Sequence, residues 1–507
     1  MSEHSAAREA RVMRRLSGED AVFVYAETPS MPMHTLGTTI LDPAGAPGGA
    51  FGFDRIVATV ASRLHLVPPF RQRLLEIPLG LGHPVLVDDP GFRIENHLHR
   101  IAVPAPGSLR ELAGIVDDIA ARPLDRSQPL WEMWVVEGLS DGRIALITKM
   151  HHCMIDGASG SSQMAQLMDL EASAPPPQLP RGRWNPPPLP SALELARLSL
   201  GSRLVSPIWL GRLLLHTATG LRRRRRAQRE NARGGPLPPL FEMAPPTRFN
   251  RAISTRRAVA YGSASLADVK RIKNAFSVTL NDAVLAACAL SVRRYLEAHD
   301  DLPERPLVCL VPVSLKSQQE KAEFSNKVST MLVKLPTHLA DPEDVIEAVH
   351  GETADAKHVF AAIEEDLLVQ WLQLVPPVLA ALGARLYSDL DLADRQPAPV
   401  NLIVSNMMGP PVPLYFGGAR VEAVYPMGPV GEGVGLNLTV LSNMGRLDIG
   451  VLACRESVPD VWAIADGFAQ AVADLAMAAE KRKPRAPEAP AHAPLAAPGG
   501  LRHNKAG

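Results

Sequence analysis

Cysteine is scarce in this chain. Four cysteines, Cys153, Cys288, Cys309 and Cys454, are spread over 507 residues, and no two of them form a CxxC pair. A small secreted scaffold needs a dense set of cysteines, and a structural zinc site needs closely spaced thiolates or histidines. We therefore expect neither a disulfide framework nor a structural zinc site, and a reducing cytoplasm fits this composition.

A net charge and a long apolar run are also missing. Basic and acidic residues both number 53, so bulk charge creates no field that would attract nucleic acid. The first residues, MSEHSAAREARVMRRLSGED, include acids and no apolar signal region. No stretch of about 18 uninterrupted apolar residues follows. We therefore expect a cytoplasmic protein without a spanning helix and without a nucleic-acid partner.

Proline, by contrast, is abundant and clustered. The 47 prolines include two dense groups, APPPQLPRGRWNPPPLP at 174–190 and GGPLPPLFEMAPPT ending at 247, which exclude helices and central strands. A chain of 507 residues is also too long for one ordinary core. We predict a first domain at 1–173, a bridging segment at 174–247, a second domain at 248–480 and a disordered tail at 481–507.

Both predicted domains mix helical and strand-like segments. In the first domain, WEMWVVEGL (131–139) and GRIALITKM (142–150) predict two strands of a hairpin. The second domain has helical spacing at 265–278, 281–299, 342–358 and 460–479, and β-rich runs at 306–314, 325–336, 400–407 and 435–443. The sequence therefore predicts an α/β fold in both halves.

The end of the predicted hairpin carries polar groups. KMHHCMIDGASG (149–160) places two histidines and an aspartate where an apolar strand ends. They can be hydrogen-bonded packing, or His152 and Asp156 can be two metal ligands, although no histidine or cysteine pair at suitable spacing completes the set. Alternatively, one histidine is a general base, because a neutral imidazole accepts a proton from an alcohol near pH 7. Gly157 lets the backbone turn sharply, and without a G-x-S-x-G elbow a serine nucleophile is not expected.

Several stretches resemble one enzyme family. HHCMIDG at 151–157 resembles the HHxxxDG signature of the CoA-dependent acyltransferase superfamily, which includes chloramphenicol acetyltransferases and peptide-synthetase condensation domains. Other stretches resemble blocks of bacterial wax ester synthase/acyl-CoA:diacylglycerol acyltransferases, namely LSGEDAVFVYAETPSMPMH, PPFRQRLLEIPLGLGHPVLVDDP, PLDRSQPLWEMW (123–134), APPTRFNRAIST (244–255), LNDAVLAACAL (280–290) and VPVSLK (311–316) with SNKVSTMLVKLP. They occur in family order over about residues 15–475.

The resemblance implies a fold and a reaction. The fold would consist of two chloramphenicol-acetyltransferase-like α/β domains with a substrate tunnel at their interface. The reaction would transfer a long-chain acyl group from acyl-CoA to diacylglycerol, giving triacylglycerol, or to a long-chain alcohol, giving a wax ester. Acyl-CoA would be a co-substrate, and neither a cofactor nor a metal is expected. His152 would be the general base, Asp156 would orient the loop, and His151 would support the base.

Further positions match the family blocks. Asn281 and Asp282 match the family's ND pair and, together with Gly157, are candidates for substrate contact. Support of the domain interface is an alternative role for the pair, and Asn281 has another, since asparagine is a favoured N-cap at the start of a helix. Trp131, in the PLW block, is expected in the core, because aromatic side chains dominate core burial.

The sequence also departs from the family pattern. Met408 replaces the usual proline in SNMMGP (405–410), Asn443 replaces a tyrosine, and Cys454 replaces an acidic residue. These departures keep two alternatives open. One is a catalytically degenerate paralogue that binds acyl-CoA or lipid without turnover, and the other is an acyltransferase for another hydroxylated metabolite.

The bridge suggests contact with lipid. A leucine-rich run within 190–229 contains five consecutive arginines at 222–226. This segment either lies on an anionic membrane or a lipid droplet with its apolar face down, or forms a solvated linker packed on the domains. Because the acceptor must leave a lipid phase, peripheral contact with the inner membrane or lipid droplets is one expectation.

Overall fold

The computed structural model describes most of the two predicted domains. The described residues are 13–49, 51–80, 82–154, 164–180, 182, 184–197, 243–314, 328–362 and 377–482. The leucine- and arginine-rich part of the bridge lies outside them, and so does the predicted tail from residue 483 onward. The predicted boundaries of the four segments therefore stay predictions.

The first large sheet contains the predicted hairpin. Its strands lie in the spatial order β12–β13–β2–β7–β6–β5. Their bounds are His34–Asp42 (β2), Leu98–Ala102 (β5), Trp131–Glu137 (β6), Ile144–His151 (β7), Tyr415–Phe416 (β12) and Ala419–Met427 (β13). Strands β6 and β7 pair antiparallel, which confirms the hairpin. Gly138 and Gly142 in its connection have positive φ values of 89° and 78°, which glycine adopts without steric cost.

Two strands of this sheet come from the second half of the sequence. Strand β13 pairs antiparallel with β2, from Arg420 opposite Asp42 to Met427 opposite Leu36, and β12 pairs with β13 at the sheet edge. The first sheet is therefore completed by a segment that lies more than 370 residues after the strand it pairs with. Nothing in the local sequence predicts this exchange, because β-strand propensity does not specify the partner strand.

The second large sheet has the order β10–β9–β11–β14–β15–β8. Its strands are Arg257–Ser265 (β8), Leu307–Ser314 (β9), Val328–Leu335 (β10), Leu402–Met408 (β11), Leu436–Asn443 (β14) and Arg446–Cys454 (β15). Strand β11 runs parallel to β9 and β14, and the other neighbours are antiparallel. The four β-rich runs predicted in this half correspond to β9, β10, β11 and β14, which confirms them.

Helices cover these sheets. Their bounds are Gly18–Ala26 (α1), Phe53–Arg63 (α2), Leu109–Ala121 (α3), Leu266–Phe276 (α4), Leu280–Glu297 (α5), Pro342–Ala362 (α6), Pro377–Asp389 (α7) and Val461–Lys481 (α8). The four helices predicted in the second half are confirmed as α4, α5, α6 and α8. Helix α5 begins at a capping box in which Thr279 and Asp282 satisfy each other's backbone N–H groups.

A small sheet packs beside the first large one. It has the order β1–β4–β3, with β1 at Met13–Arg15, β3 at Gln72–Leu75 and β4 at Val85–Asp88. Leu74 and Leu86 share an apolar core with Trp131. Trp131 is 2% exposed, stacks on Phe70 and His97, and donates its indole N–H to the Phe70 carbonyl at 2.8 Å. Its predicted place in the core is confirmed.

An apolar core also joins the two large sheets. Leu36 and Ile147 of the first sheet and Val259 and Leu452 of the second belong to one buried cluster. The crossing of β13 over β15 depends on Gly450, because a Cβ at this position would overlap the carbonyl oxygen of Pro426. The two sheets are therefore packed directly against each other behind the histidine motif.

One described helix, α8, is long and apolar enough to cross a bilayer, and α4 with α5 would qualify only as a single span bent by 106°. Half of the apolar window of α8 is buried within the protein, where Phe468 and Leu475 belong to the core of the second sheet. A buried core helix has the same length and composition as a short span, so α8 is weak support for a membrane crossing.

Candidate active site

The histidine motif lies at the end of a central, fully buried strand. All eight residues of β7 are buried, and β2 and β6 flank it on either side. His151 is the last residue of β7 and pairs with His34 of β2. The backbone N–H of His152 donates to the Met33 carbonyl at 2.8 Å, and a short 3-10 turn, His152–Met154, follows. The sheet therefore fixes the position at which the His152 side chain leaves the backbone.

The His152 ring is held against α1. It stacks on Phe23, with 3.8 Å between ring centroids and 17° between ring planes. Burial, with a smaller contribution from the neighbouring His151, lowers the pKa of His152 to about 4, and the ring's contact with its own backbone opposes this shift only weakly. Nδ1 is buried and has no hydrogen-bond partner of good geometry among the described residues, although the residue as a whole is partly accessible. At neutral pH this imidazole is therefore unprotonated and able to accept a proton.

His151 has different surroundings. It is 2% exposed, and its Nδ1 accepts a hydrogen bond from the backbone N–H of Cys153 at 3.1 Å. Its Nε2 faces the Glu27 carboxylate at 3.5 Å. Nδ1 is thus hydrogen-bonded, whereas Nε2 faces a carboxylate without a hydrogen bond of good geometry among the described residues, so the structure places His151 behind the turn that carries His152.

Asp156 and Gly157 lie outside the described residues, so their predicted roles in orienting the loop and contacting substrate stay predictions. The metal interpretation needed Asp156 as a ligand. Among the residues that the structure describes, no group of three or more His, Cys, Asp or Glu side chains is arranged to hold a metal ion. Cys153 is buried, and burial raises the pKa of its thiol well above the ordinary range, so this thiol is a packing group.

The ND pair lies at the start of α5, where its two members differ. Both oxygens of Asp282 accept hydrogen bonds within the protein, from the backbone N–H of Thr279 at 2.9 Å, from Thr353 at 2.8 Å and from Nδ1 of His350 at 2.8 Å. These bonds tie the first turn of α5 to α6. Burial would raise the pKa of Asp282, but the His350, Thr279 and Thr353 bonds lower it below its ordinary value.

Asn281 is not the N-cap of α5, because Thr279 occupies that position. The capping role considered for Asn281 is therefore wrong, and the reason is that the helix begins one residue earlier than its apolar spacing indicates. The Asn281 side-chain oxygen instead accepts a hydrogen bond from Asn406 of β11 at 3.2 Å. This contact brings the ND block and the SNMMGP block together. No hydrogen bond or ion pair joins either member of the ND pair to His152 within the described part of the chain.

The three departures from the family pattern have separate environments. Met408 is 87% exposed at the end of β11. Asn443 is buried and donates to the Glu422 carbonyl at 3.3 Å, and Cys454 is fully buried in the core between the sheets. Within the described residues, no hydrogen bond or ion pair joins any of these side chains to His151 or His152.

Sequence reasoning did not single out Phe23, Glu27 and Met33, which touch the histidine motif. All three lie in LSGEDAVFVYAETPSMPMH, which resembled a family block as a whole. The likeness of this block to the family was a signal that the segment matters. It could not select these three residues, because none of their side chains by itself indicates acyl-transfer chemistry. Their importance follows from α1 and β2 lying next to the end of β7.

Comparison with known proteins identifies the family. The family model described as "Wax ester synthase/diacylglycerol acyltransferase catalytic domain" matches residues 16–284, and the model described as "WS/DGAT C-terminal domain" matches residues 324–476. The chain belongs to this family. The resemblance stated from the sequence is therefore confirmed, and the protein is an acyltransferase enzyme of the WS/DGAT type.

Individual relatives support the same assignment. A protein of Mycobacterium tuberculosis that carries the provisional name of a diacylglycerol O-acyltransferase is 39% identical over 464 residues, which is 91% of this chain and 90% of the relative. The solved wax ester synthase/diacylglycerol acyltransferase of Marinobacter aquaeolei VT8 has a TM-score of 0.63 at 27% identity, covering 92% of this chain and all of that one.

A more distant solved structure shows the fold alone. A trichothecene 15-O-acetyltransferase from Fusarium sporotrichioides has a TM-score of 0.56 at 11% identity, covering 92% of this chain and 95% of that one. The predicted α/β fold with two chloramphenicol-acetyltransferase-like domains is confirmed for this WS/DGAT chain. Its described residues contribute two large sheets packed on a shared core, with His152 at the end of a central strand.

Proposed function

We propose that this enzyme transfers the acyl group of a long-chain acyl-CoA to the free hydroxyl of diacylglycerol, forming triacylglycerol, and that it also accepts long-chain alcohols, forming wax esters. The observation that carries the proposal is a histidine with a pKa lowered to about 4, at the end of the central strand of a WS/DGAT fold. The names of the relatives support the substrate class.

His152 acts as the general base in this proposal. Because Nδ1 of His152 is buried, we assign Nε2 as the atom that takes the proton from the hydroxyl of the acyl acceptor. As the hydroxyl oxygen attacks the thioester carbonyl, its proton moves to Nε2 and a C–O bond forms. Collapse of the tetrahedral intermediate breaks the C–S bond, and the imidazolium returns the proton to the departing CoA thiolate. The histidine therefore leaves the cycle neutral, and no covalent acyl-enzyme is needed.

The low pKa of His152 suits both halves of this cycle. His152 is available as a neutral base throughout the physiological pH range, because the folded protein disfavours its protonated ring. The imidazolium formed during transfer is accordingly a strong acid, so it protonates the thiolate readily. The stack on Phe23 contributes to both effects by excluding water from one face of the ring.

The experiment uses purified full-length protein with labelled palmitoyl-CoA and either diolein or hexadecanol. We expect labelled triacylglycerol or wax ester from wild type, and a loss of at least about 1,000-fold in turnover for His152→Ala, which is the usual order for removal of a base. No ester from wild type would refute the proposal. Binding of acyl-CoA without ester formation would instead support the catalytically degenerate paralogue, and unchanged turnover in His152→Ala would remove the base from the mechanism.

We also propose peripheral contact with lipid surfaces, since the acceptor is a lipid. Support comes from α7, on which Leu379, Leu382 and Leu386 are 60%, 50% and 48% exposed at spacings that share one helical face. Part of the bridge segment that first suggested this contact lies outside the described residues. Sedimentation with vesicles of phosphatidylcholine and phosphatidylglycerol tests the idea, and protein that stays in the supernatant at all vesicle concentrations would exclude it.

A further inference from the structure

Helix α1 contacts both histidines of the motif. Phe23, in its second turn, stacks on the His152 ring. Glu27, which follows its last residue as the C-cap, faces Nε2 of His151 at 3.5 Å. This helix and its C-cap therefore supply one neighbour to each of the two histidine rings.

Arg126 holds the C-terminal end of α1. Its Nε donates to Oε2 of Glu27 at 3.0 Å, and its Nη2 donates to the same oxygen. Nη2 also donates to the backbone carbonyl of Val24 at 3.2 Å, and Nη1 donates to Glu76 at 2.6 Å. The Val24 carbonyl is in the last turn of α1, where carbonyls have no partner within the helix. One guanidinium thus ties α1, through backbone and side chain, to the segment that precedes β6.

The pair formed by Arg126 and Glu27 is charged and partly enclosed. Glu27 is 12% exposed and Arg126 is 38% exposed. Burial would raise the pKa of Glu27, but the neighbouring His151 and Arg126 lower it below its ordinary value. Burial would likewise lower the pKa of Arg126, but Glu27 raises it above its ordinary value. Each partner therefore keeps the other ionised.

The hydrogen bonds of His151 determine which of its nitrogens carries the proton. A backbone N–H can only donate, so Nδ1 of His151 must be unprotonated to accept the bond from Cys153. The neutral ring then carries its proton on Nε2, which faces the Glu27 carboxylate. In this tautomer His151 lies between the Glu27 carboxylate, 3.5 Å from its Nε2, and the backbone of Cys153, which directly follows His152.

We propose that Arg126 and Glu27 are positioning residues for acyl transfer, acting through His151 and α1 to hold His152 in its reactive orientation. The inference rests on the proposed role of His152 as general base. Arg126 holds Glu27 by hydrogen bonds, the Glu27 carboxylate attracts the Nε2–H of His151 across 3.5 Å, and Nδ1 of His151 holds the backbone of the turn that carries His152. The same fixed helix keeps Phe23 against the His152 ring. No hydrogen bond or ion pair joins Arg126 or Glu27 to His152 among the described residues.

Loss of either residue should affect the chemical step more than substrate binding. Displacement of a catalytic group by about 1 Å can reduce turnover on the order of 100-fold. We therefore expect Arg126→Met and Glu27→Gln to lower kcat by about 10- to 100-fold, while KM for palmitoyl-CoA changes by less than about threefold. Arg126→Lys keeps the charge but cannot reach Glu27, Glu76 and the Val24 carbonyl together, so it should restore only part of kcat.

The experiment compares these variants of the full chain in steady-state assays with palmitoyl-CoA and hexadecanol, and it includes Tm measurements. Arg100→Met is the matched control, because Nε and Nη2 of Arg100 donate to Oε2 of Glu137 at 3.0 and 2.7 Å in the same fork. Arg100 lies on β5, the strand at one edge of the first sheet, and β6 separates this strand from β7, which carries His151. We expect this control to keep wild-type kcat and KM.

A double variant distinguishes positioning from general loss of stability. If Arg126 and Glu27 act as one unit, Arg126→Met with Glu27→Gln should lower kcat no more than the more severe single variant. Wild-type kcat in Glu27→Gln, or a multiplied loss in the double variant, would overturn the proposal. If Arg126→Met fails to fold, the isosteric Glu27→Gln still decides the question. An inactive wild type would count against the proposed function rather than against this network.

Discussion

The acid limb of the pH–rate profile should report the burial of His152. With a pKa of about 4 the imidazole is neutral in about 99% of molecules at pH 6, whereas an ordinary histidine with a pKa of 6.5 is neutral in only about a quarter. The difference corresponds to about 3 kcal/mol against the protonated ring. We therefore expect kcat/KM to stay level from about pH 8 down to about pH 5.5, and to fall with a midpoint near the free-enzyme pKa.

Replacement of Phe23 should move this limb. Phe23→Ala removes the ring stacked on His152 and admits water, so the pKa should rise from about 4 toward the ordinary value of 6.5, and the midpoint of the limb should rise with it. Phe23→Leu keeps an apolar side chain in place and should leave the limb close to that of wild type. The assay is kcat/KM for palmitoyl-CoA with hexadecanol across overlapping buffers, using initial rates.

Stability must be measured in the same buffers, and the direction of its change also follows from the lowered pKa. Between pH 6.5 and about 4 the unfolded chain binds a proton at His152 that the folded chain does not, so the free energy of unfolding should decrease as pH falls through this window. Thermal denaturation at each pH separates this loss from titration of the base. A reversible limb centred near pH 6.5 in folded wild type would refute the argument from burial.

Other perturbations test the remaining parts of the structure. Asp282→Ala should lower the free energy of unfolding by about 2–4 kcal/mol in denaturant titration, because it leaves three donors without their buried acceptor. Asn281→Ala is the control and should lower it by less than about 1 kcal/mol. Equal losses in the two variants would contradict a structural role for the aspartate. Gly450→Ala should lower the free energy of unfolding by about 1–3 kcal/mol, because the added Cβ meets the Pro426 carbonyl oxygen. Gly351→Ala in α6 has open space around the added Cβ, so it should leave the free energy of unfolding unchanged or raise it by up to about 1 kcal/mol. Incubation with a chelator should leave ester formation unchanged, and lost activity that zinc restores would revive the metal interpretation.

Local structure could be predicted from the sequence where one periodicity dominates. The hairpin of β6 and β7, four helices and four strands of the second half follow from apolar spacing and turn residues, because these signals act over a few neighbouring residues. The start of α5 shows the limit. Asn281 and Thr279 are both acceptable caps, and only the hydrogen bonds of the folded helix decide for Thr279.

Residues with intrinsic chemistry could also be recognised. His152 stands out because an imidazole is the only side chain that ordinarily titrates near neutral pH, and its position after an apolar strand places it at the end of that strand. Its pKa could not be predicted, since this depends on burial in the folded protein, to which the stacked Phe23 ring contributes, and on the neighbouring His151. The family blocks added the substrate class, which no single side chain indicates.

The sequence by itself thus determined the α/β class, the identity of the family and the choice of His152 as the base to test. Only the tertiary structure decided that β13 completes the first sheet, and that Arg126 and Glu27 lie behind His151. The reason is sequence separation. The paired strands and the partly enclosed Arg126–Glu27 pair join residues that are about 100 to nearly 400 positions apart, and such contacts depend on the packing of whole elements rather than on local propensity.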